Sequence, residues 1–304
     1  MIIETPARPV VVGVDGSTAS SAAVTWACAA AASLNRPLHV VHAFVVGATY
    51  PGVGGLGPLS VADRRDLEAI AAATLEEAVG SARARAPALT ISSDAVSGSA
   101  GKVLVDASET AHIVVVGARG LGSVMGLLLG SVSTWTAMHA ECPVVVVKGS
   151  KDGQDRAAPL HRGGVVVGID GSANSQLCLD YAFEHAAAVG VPLDVLHAWS
   201  LERPAYSARP GAAFAAVEAT EQRHQLLLSE ALAGWTEKYP DVVLRTSLVH
   251  GLAVPALLER AEDAELLVVG SRGRGGVANL VLDSVSHTVL QRAASPVAVV
   301  RGRR

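Results

Sequence analysis

The chain has 304 residues, of which 50% are hydrophobic and 17% are charged, and its formal net charge is −4. This composition excludes intrinsic disorder, and the small net charge gives no electrostatic reason to expect nucleic acid as a partner. At about 150 residues per domain, two domains are the default expectation.

Short apolar runs and helical patterns alternate through the first half of the chain. The apolar runs lack the polar alternation of a half-exposed strand, which is typical of parallel strands that are covered on both faces. Predicted strands lie at Val10–Val14, Leu38–Val41, near Leu89–Ala95, at Ile113–Val116 and at Val144–Val147, and predicted helices at Ser17–Leu34, 66–85 and near Lys102–Ser108. This order predicts a doubly wound, Rossmann-like α/β sandwich around a parallel five-stranded sheet.

The second half of the chain repeats the first. The stretch VVGVDGS at 11–17 returns as VVGIDGS at 166–172, and IVVVGARG at 113–120 returns as LLVVGSRG at 266–273. Such a repeat indicates a duplicated domain. We therefore predict two tandem sheets of the same type, one in each of two domains at 1–148 and 164–304, with 149–163 as a polar linker.

Two features bear on where the protein acts. The N-terminus lacks a basic start followed by an apolar run and a cleavage site, and no segment approaches twenty uninterrupted apolar residues. Cys28, Cys142 and Cys178 form no CxxC pair and lie in apolar or small-residue contexts that are typical of buried thiols. We expect a soluble cytoplasmic protein without a membrane partner.

The predicted sheet indicates where a ligand binds. In open α/β sheets, ligands lie beyond the carboxyl ends of the strands, where the winding reverses. In the first copy, the loops at this point are Gly13–Ser17, which contains Asp15, and Gly117–Gly120. We therefore expect Asp15 and Gly117 to converge, although they are far apart in the sequence.

The stretch GARGLGSVMGLLLGS at 117–131 has the features of a phosphate site. Gly117 and Gly120 let the main chain turn and let a ligand approach closely. Gly130 and Ser131 open a predicted helix whose first amides lack intrahelical partners, and such a helix start attracts phosphate. Hydroxyl groups of Ser131 and Ser133 and the guanidinium of Arg119 are candidate additional donors. The alternative is that the glycines serve tight turns and helix packing only, and that Asp15 is an ordinary helix cap.

These motifs resemble the universal stress protein family, specifically its tandem-domain members of the actinobacterial type. The resemblance covers nearly the whole chain apart from the tails and the linker. It implies an ATP-binding protein in which the glycine motif holds ribose and phosphates, while the aspartate after the first strand and the end of the second strand hold adenosine. Carried over by position, the implied ATP-binding residues are Gly13, Asp15, Ala43, Gly117, Arg119, Gly120, Gly130, Ser131 and Ser133 in the first copy and Gly168, Asp170, Ala198, Gly270, Arg272, Gly273, Ser284 and Ser286 in the second.

The second copy departs from the motif at one position. The related stretch GSRGRGGVANLVLDS at 270–284 has Asp283 where the first copy has Gly130. A carboxylate there would repel a phosphate, unless Mg²⁺ lies between the two, so the sequence predicts an intact first site and a second site that is weak, metal-dependent or empty. Asp283 as a simple helix cap in an unused site is the alternative.

Several functions stay open at this point. The leading hypothesis is an ATP-binding stress-response regulator that signals through a partner or a dimer interface, with pairing of the two domains through their last strands and homodimerisation as further expectations. A slow ATPase or phosphotransferase and a ligand-free scaffold are the alternatives, and no catalytic residue is assigned.

His42 and His197, which close the second strand of each copy, are either near the adenine or packed at a strand end. Walker-type and Gly-x-Ser-x-Gly hydrolase motifs are absent from the sequence, and no compact Gly-x-Gly-x-x-Gly dinucleotide-binding motif follows the first strand.

Overall fold

The computed structural model describes residues 7–45, 61–120, 129–149, 163–200, 210–271 and 282–302. The chain divides into two compact units, Met1–Leu160 with Arg303–Arg304, and His161–Gly302. We call them unit 1 and unit 2 and treat each by itself.

Unit 1 is a parallel sheet with helical crossovers. Its strands follow the order β3-β2-β1-β4-β5, and every adjacent pair is parallel. The winding therefore reverses between β1 and β4, as the sequence predicts. In chain order, its elements are β1 Val10–Gly13, α1 Thr18–Ser33, β2 Leu38–Phe44, α2 Val61–Arg85, β3 Ile91–Ser97, α3 Ala100–Ser108, β4 Ile113–Gly117, α4 Ser131–His139 and β5 Val144–Val147.

Unit 2 has the same topology. Its strand order is β8-β7-β6-β9-β10, again with parallel pairs throughout, and the winding reverses between β6 and β9. Its elements are β6 Val165–Gly168, α5 Ala173–Val189, β7 Leu193–Trp199, α6 Pro210–Leu232, α7 Trp235–Lys238, β8 Leu244–His250, α8 Ala253–Arg260, β9 Leu266–Gly270, α9 Ser284–Arg292 and β10 Val297–Val300. The predicted fold class is confirmed in both units.

The central strands of each unit form its core. Val10, Val12 and Val115 are fully buried, which explains why these strands read as continuous apolar runs. The alanine-rich α1 covers the sheet closely because small side chains let a helix approach the strands. Cys28, Cys142 and Cys178 are free and buried, as predicted. Within the described residues, no helix is long and apolar enough to cross a membrane.

The predicted boundaries differ from the observed ones mainly at the strand ends. The strand β2 continues to Phe44, three residues beyond the predicted end at Val41, because it pairs with β3 along its whole length as far as the pair Phe44↔Ser97. The short helix α7 has no counterpart among the predicted elements. It is stabilised by aromatic stacking of Trp235 on Phe183, with ring centroids 5.1 Å apart.

Candidate functional site

The two loops that were expected to converge do so in unit 1. The hydroxyl of Ser17 donates to the carbonyl oxygen of Arg119 at 3.3 Å. Gly120 lies so close to the carboxylate of Asp15 that a β-carbon at this glycine would collide with Asp15 Oδ2. The loop after β1 and the loop after β4 therefore form one site at the carboxyl edge of the sheet.

Asp15 also organises its own turn. Its Oδ1 accepts a hydrogen bond from the Ser17 amide at 3.0 Å, and Ser17 Oγ accepts from the Ser20 amide at 3.2 Å. Ser17 is the N-cap of α1. The structure thus shows the predicted helix cap. This cap is compatible with a ligand role for Asp15.

Packing within the protein is enough to require glycine at position 117. A β-carbon at this position would lie 2.7 Å from the carbonyl carbon of Ala19 and 2.9 Å from the amide nitrogen of Ser20. Real β-carbons do not approach backbone atoms so closely, so the end of β4 and the first turn of α1 can pack together only with glycine here. Gly13 has a milder constraint, because its β-carbon would meet the Leu104 side chain at 3.0 Å.

The helix α4 starts at the same edge, and its N-cap residue is a glycine. Gly130 adopts extended backbone angles, φ −82° and ψ 158°, and supplies no side-chain cap to the first amides. Ser133 Oγ does not serve as a cap, since it donates to the carbonyl oxygens of Gly130 at 3.0 Å and of Ala118 at 3.2 Å. Its hydroxyl proton is therefore used inside the loop, whereas Ser131 is exposed at the helix start.

The corresponding helix start in unit 2 has Asp283 in the place of Gly130. This aspartate is the N-cap of α9, and its Oδ1 accepts from the Ser286 amide at 2.7 Å and from Ser286 Oγ at 2.8 Å. The two helix starts are held in the same way, because the amide of Gly130 donates to the carbonyl oxygen of Ala118 and the amide of Asp283 donates to that of Ser271. An internal carboxylate thus lies where unit 1 has a glycine.

A cavity of about 110 Å³ lies at this edge of unit 2. Its lining includes the predicted site residues Gly168, Asp170, Ala198 and Gly270, and also Asp283. Asp170 Oδ1 accepts from the Ser172 amide at 2.9 Å and from Ser175 Oγ at 2.8 Å. The elements β6, β7, β9 and α9 therefore bring the predicted residues together around one space. Arg272 and Gly273 lie outside the described residues.

Cys178 is one of the residues that line this cavity. Burial raises the pKa of the Cys178 thiol to about 12, and the negative charges of Asp170 and Asp283 add to this effect. A thiol with such a pKa stays protonated at neutral pH, so it is not a nucleophile. From the sequence, only the burial of this cysteine could be predicted. The charges of Asp170 and Asp283 act on it only because the fold brings the three residues together.

The strand-end histidines have the same structural role in both units. His42 Nδ1 donates to the carbonyl oxygen of Val14 at 2.8 Å, and His197 Nδ1 donates to that of Ile169 at 2.8 Å. Because a carbonyl oxygen only accepts, Nδ1 carries the proton in each ring. These bonds connect the end of β2 to the loop after β1 and the end of β7 to the loop after β6. They agree with the alternative in which the two histidines are packed at a strand end. In addition, His197 Nε2 lies 2.8 Å from Nδ1 of His224 on α6, a contact that the sequence does not indicate.

The described residues contain no cluster of three or more His, Cys, Asp or Glu side chains that could hold a metal ion. The edge of each sheet instead combines a carboxylate, close-packed glycines and a helix start. This combination suits an organic ligand that is bound by main-chain groups at the switch point of a doubly wound α/β domain.

Comparison with known proteins places the chain in a family. The sequence profile of the Universal stress protein family matches twice, at residues 6–148 and 162–301. Universal stress protein Rv2005c of Mycobacterium tuberculosis is 40% identical over 300 residues, with 96% of each chain covered. A universal stress protein of Mycolicibacterium smegmatis is 38% identical over 298 residues, with 97% of each chain covered. The chain therefore belongs to the universal stress protein family.

A solved structure supports the fold over nearly the full length. The crystal structure of a universal stress protein from Archaeoglobus fulgidus has a TM-score of 0.65 with this chain at 21% sequence identity. It covers 96% of this chain and 98% of that protein. The likeness therefore spans both units.

Proposed function

We propose that the protein is an ATP-binding stress-response regulator in which unit 1 holds the nucleotide. The start of α4 is the observation that carries this proposal, because its N-cap Gly130 has no side chain to cap the first amides and the loop after β4, which leads towards it, is bonded to the loop of Asp15 through Ser17 and Arg119. Phosphate is the group that such a helix start binds best. The adenosine part would lie between Asp15 and the end of β2 at Ala43, with Gly120 allowing close approach.

Unit 2 is proposed to bind ATP weakly at best. Its helix start already has an acceptor in the carboxylate of Asp283, which bonds the Ser286 amide. A phosphate would have to displace this local partner and would also face a like charge. The protein would therefore respond to ATP through one unit.

The response is proposed to pass to a partner or to a second copy of the chain through the Val-rich last strands, β5 and β10. The three buried free thiols suit a reducing cytoplasm, where cysteines stay unpaired. Sedimentation of the full chain with and without ATP tests the association, and an unchanged sedimentation coefficient would leave this route without support.

ATP binding itself is tested by titration calorimetry on the full chain. Asp15→Ala removes a proposed adenosine contact and should weaken ATP binding at least tenfold, which corresponds to about 1.4 kcal/mol. Asp170→Ala is the matched control, since it removes the equivalent carboxylate of unit 2 and should leave the affinity unchanged. Equal effects of both variants, or no effect of either, would contradict the assignment of ATP to unit 1.

A further inference from the structure

The lining of the unit 2 cavity combines apolar and acidic side chains. Leu196, Leu257 and Val269 contribute apolar surface, while Asp170 and Asp283 supply carboxylates. An apolar group joined to an uncharged hydrogen-bond donor complements this lining.

Asp283 takes over the hydrogen bonds that a ligand phosphate would make at the start of α9. The Ser286 amide has a single proton, and that proton is donated to Asp283 Oδ1 at 2.7 Å. The Ser286 hydroxyl proton goes to the same oxygen at 2.8 Å. The two donors of Ser286 are therefore used inside the protein, and a negative charge is already present at the helix start.

The same carboxylates suit hydroxyl groups. A carboxylate has about four acceptor sites, and Ser286 uses two of those of Asp283. The 5′-hydroxyl of a nucleoside, which a nucleotide such as ATP has esterified with phosphate, is a donor of the right kind, and acidic side chains bind ribose hydroxyls in other α/β sites. An aromatic base would lie against the apolar side chains of Leu196 and Leu257.

We infer that the unit 2 cavity binds an unphosphorylated nucleoside of the adenosine class, with Asp283 in the place of the ligand phosphate. The choice of adenine as the base rests on the proposed function of unit 1, since the two units share their topology. Unit 2 would thereby distinguish a nucleoside from its nucleotides, while unit 1 binds ATP.

Adenosine is the probe for the test, titrated by calorimetry into the full chain saturated with ATP. We expect one equivalent of adenosine to bind on top of one equivalent of ATP. In Asp283→Gly, a second equivalent of ATP should bind at least tenfold more tightly than ATP binds to unit 2 of the wild type, and adenosine should then compete with it. Asp283→Asn, which retains an oxygen that can cap α9 but lacks the charge, should gain ATP affinity to a smaller extent.

A second variant locates the adenosine. Ala253 is a half-buried residue of the cavity wall at the start of α8, so Ala253→Trp fills the cavity from its rim. Adenosine binding should be lost in this variant while one equivalent of ATP still binds. Adenosine binding that survives in Ala253→Trp, two equal ATP sites in the wild type, or no adenosine binding to the ATP-saturated chain would each overturn the inference.

The experiment separates this inference from the proposed function. If ATP fails to bind the wild-type chain, the proposal for unit 1 is wrong, and adenosine titrated into the ATP-free wild type and Ala253→Trp still decides the inference for unit 2. If ATP binds once and adenosine does not bind, only the inference fails.

Discussion

Gly130→Asp copies into unit 1 the side chain that unit 2 has at its helix start. The backbone is already suitable, because Gly130 has φ −82° and ψ 158° and Asp283 has φ −78° and ψ 172°. A β-carbon at Gly130 would lie 3.3 Å from the carbonyl oxygen of Ala118, so a shift of a few tenths of an ångström accommodates it. We therefore expect the new carboxylate to cap α4 through the amide of Ser133.

The substitution should change stability and binding in opposite directions. Aspartate is a better N-cap than glycine by a few tenths of a kcal/mol, so the ligand-free chain should become slightly more stable. A carboxylate about 4 Å from a phosphate costs up to about 4 kcal/mol at an effective dielectric constant near 20. At about 1.4 kcal/mol per factor of ten, ATP affinity should fall by roughly 10²- to 10³-fold.

Titration calorimetry with ATP and denaturant unfolding of the ligand-free chain measure the two effects. Gly130→Asn is the control, because it has nearly the same size and also caps a helix but adds no charge. Its loss of affinity should be at least tenfold smaller than that of Gly130→Asp. If the two variants bind ATP equally, the loss comes from filled space, and the electrostatic reasoning is refuted.

Three further predictions concern other parts of the molecule. Gly117→Ala should lower the free energy of unfolding by about 1–3 kcal/mol even without ATP, because its β-carbon meets the backbone of Ala19; unchanged urea unfolding would contradict this. The Cys178 thiol, with a folded pKa of about 12 against an ordinary value of 9.0, contributes stability that is complete below pH 9 and is lost as the pH rises towards 12, at about 1.4 kcal/mol per pH unit. Unfolding profiles of the wild type and Cys178→Ala should therefore diverge above pH 9, and parallel profiles would exclude this contribution. Finally, ATP should slow hydrogen exchange of the first amides of α4 but not of α9, and equal protection of both helices would contradict a single ATP site.

The fold could be predicted because apolar continuity and repetition are properties of the sequence itself. Val144–Val147 is a strand with the predicted bounds, since four valines in a row can be buried on both faces of a sheet. The far end of β2 was less predictable, because its pairing with β3 as far as Phe44 depends on a partner strand whose sequence has only a weak hydrophobic pattern. The helix α7 depends on the stacking of Trp235 on Phe183, which is a tertiary contact.

The site was predictable to the level of which loops meet, but not to the level of what each side chain does there. The switch-point rule places Asp15 beside the loop of Gly120, and the structure shows this contact. The internal use of the Ser133 hydroxyl and the collision that a side chain at Gly117 would have with α1 depend on distances of a few ångströms. The sequence alone therefore cannot distinguish a glycine required by packing from one required by a ligand.

The difference between the two units follows from the hydrogen bonds at one helix start. The first amides of a helix need acceptors, which are supplied by water, by a ligand or by a side chain. In unit 2 the protein supplies an acceptor itself, because the Asp283 carboxylate accepts from the Ser286 amide. In unit 1 the N-cap Gly130 has no side chain to supply one, so a ligand can replace water at the first amides of α4 without displacing an N-cap side chain. A ligand that binds only the folded state adds stability in proportion to the logarithm of its concentration over its dissociation constant, and ATP should therefore stabilise unit 1 in particular. On the proposed function, the exchange of Gly130 for Asp283 at corresponding helix starts would make unit 1 responsive to ATP, while unit 2 keeps the same fold without it.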